Sequence, residues 1–172
     1  LPTSSSSNWA SMIMGAGPEQ HGITSNSWEK DNFTLPAVTQ KEDFLFPTIF
    51  TLINDQVPDA KIGAIYNWKG FGRLFEKNAV DYDISAKTEE ETATLAAKYI
   101  KENKPTFTFI HFDHIDHAGH NYGHGTDHYY ESVEKGDQVL AQVMQAIEEA
   151  GMNDDTMVIV TADHGGLGKG HG

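Results

Sequence analysis

Residues 106–120 read TFTFIHFDHIDHAGH. The stretch opens on β-formers, Phe107, Phe109 and Ile110, in a run short enough to be a buried strand of a parallel sheet. It then turns polar. Asp113, His114, Asp116, His117 and His120 fall within eight residues, and Gly119 is expected to break any helix there. A buried strand ending in carboxylates and imidazoles delivers them to the carboxyl edge of the sheet, where open α/β folds place their chemistry. Asp and His supply oxygen and nitrogen ligands suited to Zn²⁺ or a similar divalent ion. The competing reading is a polar loop of solvated histidines. Against it, six of the nine histidines lie between His111 and His128.

Working outward, Thr88 opens a helix with Glu91 three residues on, a capping box. Leu95, Ala96, Tyr99 and Ile100 form its buried face, and Lys104 and Pro105 stop it. Downstream, a long helix is expected over 127–150, striped by Val133, Leu140, Val143 and Ile147 and stopped by Gly151. Residues 156–161, TMVIVT, are expected to be a strand buried on both faces. Residues 61–68 read as a strand, and 44–57 as an amphipathic helix with Pro47 in its first turn. Residues 27–43 are polar and irregular, and 70–75 a loop or short turn. Helix and strand alternate, so the expected class is α/β, a mostly parallel sheet with helices on both faces, in one domain over 1–172.

Composition excludes several functions. Lys plus Arg is 12 against 25 for Asp plus Glu, a net charge of −13, which disfavours nucleic-acid or anionic-membrane binding. An anionic substrate stays open, because bound metal ions invert the local field. The absence of cysteine removes disulfides and thiolate metal sites. No apolar run approaches the roughly 20 residues of a membrane span. The chain begins without Met and stops in a glycine-rich loop, so it is expected to be a catalytic core truncated at both ends.

Two expected strands end in Asp/His pairs: Asp116 with His120, in D-x-x-G-H, and Asp163 with His164, in A-D-H-G-G. Set side by side, such pairs build two metal positions. Ions about 3.5–4 Å apart hold both the attacking and the leaving oxygen of a displacement at phosphorus. At the other end, residues 1–26 read LPTSSSSNWASMIMGAGPEQHGITSN. Here a loop feeds a short helix with Ser or Asn at its N-cap, and a hydroxyl at a helix N-terminus suits a phosphoryl group. The serine run also reads as a flexible linker.

These three pieces, the serine loop, DHAGH and TADHGG, resemble the type I phosphodiesterase / nucleotide pyrophosphatase family of the alkaline phosphatase superfamily, in the family's order. The resemblance implies an alkaline-phosphatase-like fold and a metal-dependent hydrolase of phosphate diesters or pyrophosphates. It makes Ser5, three residues before the Asn of N-x-x-S, the nucleophile, and Asn26 a holder of phosphoryl oxygens. It implies two divalent ions, Zn²⁺, one on Asp116 and His120 with His171 as a third ligand, the other on Asp163 and His164. A further Asp ligand, upstream of the nucleophile loop in the family, has no match here, so weak metal binding is expected. The substrate implied is a small phosphate ester or nucleotide, and the compartment is extracytoplasmic. A phosphomonoesterase, a phosphoethanolamine transferase-like enzyme and a non-catalytic metal-binding fragment are the alternatives. A sulfatase is the least expected, because its C/S-x-P-x-R motif has no match here. Of the remaining residues, Asp113 and His114 are candidates to orient ligands. His21, His117, His124 and His128 read as surface or loop-packing histidines.

Overall fold

The computed structural model describes residues 3–40 and 44–171. Its centre is β1 (Ile62–Tyr66), fully buried, with β2 (Tyr82–Ser85) and β3 (Phe107–His111) parallel on either side. A parallel sheet needs cover on both faces, and period-two alternation divides the strands accordingly. Ile62, Ala64 and Tyr66, with Phe107 and Phe109, face a core built on Trp9 and Ile13 of α1 (Ser5–Met14) and Phe50 of α3 (Ile49–Gln56). Ile65 and Ile110 face α4 (Glu89–Asn103) and α6 (Asp127–Glu149) through Ala96, Tyr99, Ile100, Val143 and Ile147. Gly63 also points at this second layer, where an added Cβ would lie 2.6 Å from the Tyr99 ring. The α/β architecture is therefore as expected.

Local chemistry explains most boundaries. Thr88 Oγ1 accepts from Glu91 N–H at 3.2 Å, and the Glu91 carboxylate turns back to Lys87 N–H at 2.7 Å. α6 starts and ends within a residue of its expected bounds, with Thr126 as its side-chain cap. α3 starts later than expected, leaving Pro47 ahead of the N-cap Thr48. There the buried Glu76 carboxylate accepts from Thr48 N–H and hydroxyl at 3.3 and 2.5 Å. Residues 27–40 are irregular, and 41–43 lie outside the described residues.

Two expectations fail. Residues 156–161 form no strand among the described residues, and Met157, Ile159 and Val160 are 85%, 77% and 71% exposed. Their backbone makes no ladder with β3, whose outer edge carries no strand among the described residues. The polar stretch after β3 is not a loop but α5 (His114–Tyr122), with Gly119 inside it. Asn67, just past β1, accepts from Asp113 N–H at 2.7 Å through its side-chain oxygen and fixes where α5 begins.

Candidate active site

The serine run is helix, not linker. Ser4 is the N-cap of α1 and Ser5 its first residue. α2 (Pro18–His21) and the left-handed Gly22 turn the chain back so that Asn26 reaches the start of α1. Gly22 is required there: an added Cβ would lie 2.5 Å from Leu35 O. Asn26 Oδ1 accepts from Ser6 N–H at 2.8 Å and Ser4 Oγ at 2.9 Å, capping the helix from outside. Ser7 Oγ donates to Ile23 O at 2.7 Å, and Ser6 Oγ lies 3.4 Å from Arg73 Nη2. Ser5 Oγ points elsewhere, to His164 Nε2 at 3.2 Å. Asn8 Nδ2 donates to Asp163 O at 2.9 Å and ties α1 to the D-H-G segment.

Because α5 is helical, Asp116 and His120 stand on one face, four residues apart, with Oδ2 and Nε2 at 3.4 Å. A short hairpin, β4 (Gly166–Leu167) and β5 (Gly170–His171), brings His171 against them. His171 Nε2 is 3.0 Å from His120 Nε2 and 3.6 Å from Asp116 Oδ1. His164 Nε2 is 3.4 Å from Asp163 Oδ2 and 4.0 Å from Asp116 Oδ1, and its ring stacks on His171 at 3.7 Å.

The tautomers follow from the backbone. His120 Nδ1 bonds Lys169 O at 2.8 Å, His164 Nδ1 bonds Gly165 O at 3.0 Å, and His171 Nδ1 bonds Thr3 O. A carbonyl only accepts, so each Nδ1 carries a proton, and in the neutral ring each Nε2 then presents a lone pair inward. Three lone pairs and two carboxylates thus converge, with Asp116 Oδ1 and Asp163 Oδ2 buried and unbonded. Burial pushes the Asp163 carboxyl above its usual range. Such a set repels itself unless a cation lies within it, and Asp116, His164 and His171 offer donor atoms all within 4.8 Å of one another. The donors fit a divalent ion of the Zn²⁺ kind.

Ser5, Asp116, His120, Asp163, His164 and His171 therefore meet in one place, and Asn26 borders it through α1. The orienting role expected of Asp113 and His114 falls to backbone carbonyls. Asp113 contacts His117 at 4.0 Å, and His114 buries both ring nitrogens without a partner. His21 and His111 are core residues, 2% and 4% exposed, and burial lowers both to about 4. His21 takes the Ile23 N–H on Nδ1 at 3.0 Å, which leaves Nε2–H for Ser11 Oγ at 3.0 Å. Sequence reasoning missed Arg73. Its Nη1 meets Glu29 Oε1 at 2.5 Å and its Nη2 donates to Asn26 O.

The model of the type I phosphodiesterase / nucleotide pyrophosphatase family matches residues 1–167. Bis(5'-adenosyl)-triphosphatase ENPP4 of Pongo abelii is 24% identical over 169 residues, 92% of this chain and 37% of that protein. The chain thus spans little more than a third of that relative's length. Inactive murine ectonucleotide pyrophosphatase / phosphodiesterase 5, solved in complex with AMP, superposes with a TM-score of 0.66 at 17% identity, over 88% of this chain and 42% of that one. Phosphonoacetate hydrolase from Sinorhizobium meliloti gives 0.61 at 17%, over 85% and 43%. The two superpositions carry the likeness of fold.

Proposed function

The chain belongs to the type I phosphodiesterase / nucleotide pyrophosphatase family, and from that premise we propose that it is the core of a metal-dependent hydrolase of phosphate diesters or pyrophosphates. Ser5 is the nucleophile. Asp116, His120 and His171 hold one divalent ion, Asp163 and His164 a second, and both are Zn²⁺. Zinc would act as a Lewis acid on phosphoryl oxygen and lower the pKa of a bound hydroxyl.

The chain's own residues do the rest. Ser5 sits on the first turn of α1, where free N–H groups and the helix dipole favour an anion. Its Oγ lies 3.2 Å from His164 Nε2, so an ion held by that nitrogen would lie beside the hydroxyl and favour its ionised form. Oγ loses its proton to solvent and bonds to phosphorus, and the P–O bond to the leaving group breaks as that oxygen takes up a proton from water. A water molecule then attacks phosphorus, breaking the Oγ–P bond and returning a proton to Ser5. Asn26 has both Oδ1 bonds committed to Ser4 and Ser6, so only its Nδ2–H edge is left for a phosphoryl oxygen. A nucleotide is the substrate class: the ENPP4 relative is named for a bis-adenosyl triphosphate, and the murine neighbour holds AMP. An extracytoplasmic location follows from the family alone.

The observation that carries this reading is the division of labour in the serine run. Ser4, Ser6 and Ser7 bond within the nucleophile loop and its brace, and Ser5 alone faces the histidines. Ser5→Ala should lower kcat on a p-nitrophenyl phosphodiester by roughly 10³-fold or more while zinc content stays within error. Ser4→Ala should cost less than about tenfold. A Ser5→Ala variant at the wild-type rate removes the assignment.

A further inference from the structure

The hairpin that carries His171 has two strands of two residues each. A ladder that short does not hold itself together in water. Its support comes from the turn after α5. His124 donates to Gly168 O twice, from its backbone N–H at 2.7 Å and from Nδ1 at 3.0 Å. Lys169 Nζ donates to Asn121 O at 2.8 Å. The His124 ring is also packed between two glycines. An added Cβ at Gly119 of α5 would lie 2.3 Å from His124 Nε2, and one at Gly166 of β4 would lie 1.9 Å from it. The ring of Tyr129 lies 5.1 Å away, centroid to centroid. These are the glycines of the D-x-x-G-H and D-H-G-G patterns, and one imidazole occupies the space both leave open.

We infer that His124 is a positioning residue: it rivets the His171 hairpin to α5 and so sets the distance between His171 and the Asp116–His120 pair. The inference rests on reading those residues as a metal centre only for its consequence, not for the rivet itself. Without the imidazole, the hairpin keeps the Lys169 contacts but loses a side-chain bond and its packing against both glycines. His171 then samples positions away from Asp116. Losses of this kind, one shell out from the ligands, cost about 10–100-fold in metal affinity.

The test compares wild type with His124→Ala, His124→Asn, Gly166→Ala and the His124→Ala/Gly166→Ala pair, each as the full chain. Amide exchange is read over 165–171, with α4 and α6 as internal controls, and Zn²⁺ affinity is read by calorimetry. His124→Ala should speed exchange in 165–171, leave α4 and α6 unchanged, and weaken Zn²⁺ about tenfold or more. His124→Asn, which keeps a donor for Gly168 O, should fall between. Gly166→Ala should loosen the hairpin in the wild-type background, where Ala would displace the ring, and add nothing once the ring is gone. Unchanged exchange in His124→Ala, or an equal Gly166→Ala effect in both backgrounds, overturns the rivet. Faster exchange with undiminished Zn²⁺ affinity overturns its consequence. If wild type binds no Zn²⁺, the metal reading has failed, and the exchange data still decide the rivet.

Discussion

Arg73→Ala removes a side chain that touches no expected metal ligand and should nevertheless slow the reaction. Arg73 ends a 3-10 turn anchored by Phe71, which is fully buried and stacked on Phe109 at 4.5 Å. Its pair with Glu29 is half exposed on the carboxylate side and is expected to contribute at most about 1 kcal/mol. The bond to Asn26 O is a charged donor on a neutral acceptor, about 1.5–3 kcal/mol. The Ser6 Oγ contact, at 3.4 Å, adds little. Truncation should therefore destabilise by about 2–3 kcal/mol and lower Tm by roughly 5–10 °C in a chain of this size. Catalysis should suffer separately, because Asn26 is held by its backbone to Arg73 and by its side chain to α1. Displacement of such a group by about 1 Å costs on the order of 10²-fold. The assay is a cycle of Arg73→Ala, Asn26→Ala and the double variant, with kcat and KM measured well below every Tm. If Arg73 acts through Asn26, the double variant matches Asn26→Ala alone and the loss falls on kcat. Arg73→Lys keeps the charge but not the planar fork, and should recover less than half of the logarithmic loss. Additive losses, or full recovery by Lys, refute the positioning argument and leave only a remote charge.

Gly63→Ala should cost about 1–3 kcal/mol of stability and leave kcat unchanged. The Tyr99 ring it would strike is itself stacked on Tyr82 at 4.8 Å, so a Tm within 1 °C of wild type would show that the ring can yield. Burial holds His21 and His111 at about 4, below the 6.5 of an exposed imidazole. Between those values the unfolded chain binds more protons than the folded one, so this contribution is full above pH 6.5 and is lost as pH falls towards 4. Denaturant midpoints across that window should fall with pH less steeply in His111→Phe, which keeps a stacked ring that does not titrate. An equal slope would mean that His111 is charged in the folded protein.

Which parts of the molecule were legible follows from the range of the interactions involved. The capping box at Thr88, the long helix α6 and the β3 run are written within a few residues of sequence, and their elements form where expected, although Val133 of the expected α6 stripe is exposed and the buried face runs through Val139, Val143, Ala146 and Ile147. β2 was missed, although Tyr82 and Ile84 alternate with polar residues, because four residues give too short a period to separate from a turn. The segment 156–161 has strand composition, but a strand exists only against a partner, and that condition is not local.

Gly119 shows the same limit at the site. Its cost of about 1 kcal/mol in a helix interior suggests a break. The helix continues because the space beside Gly119 is filled by an imidazole from outside α5. That continuation matters chemically: only in a helix does the four-residue spacing place Asp116 and His120 on one face. The candidate ligand residues stood out in the sequence because their side-chain chemistry is scarce and their pattern dense, and the fold brings them together. The groups that orient them were not, because Lys169, Gly165 and Thr3 act through carbonyls that every residue possesses. A metal site's donors are therefore a property of sequence, whereas the tautomer that makes each imidazole a donor is a property of the fold.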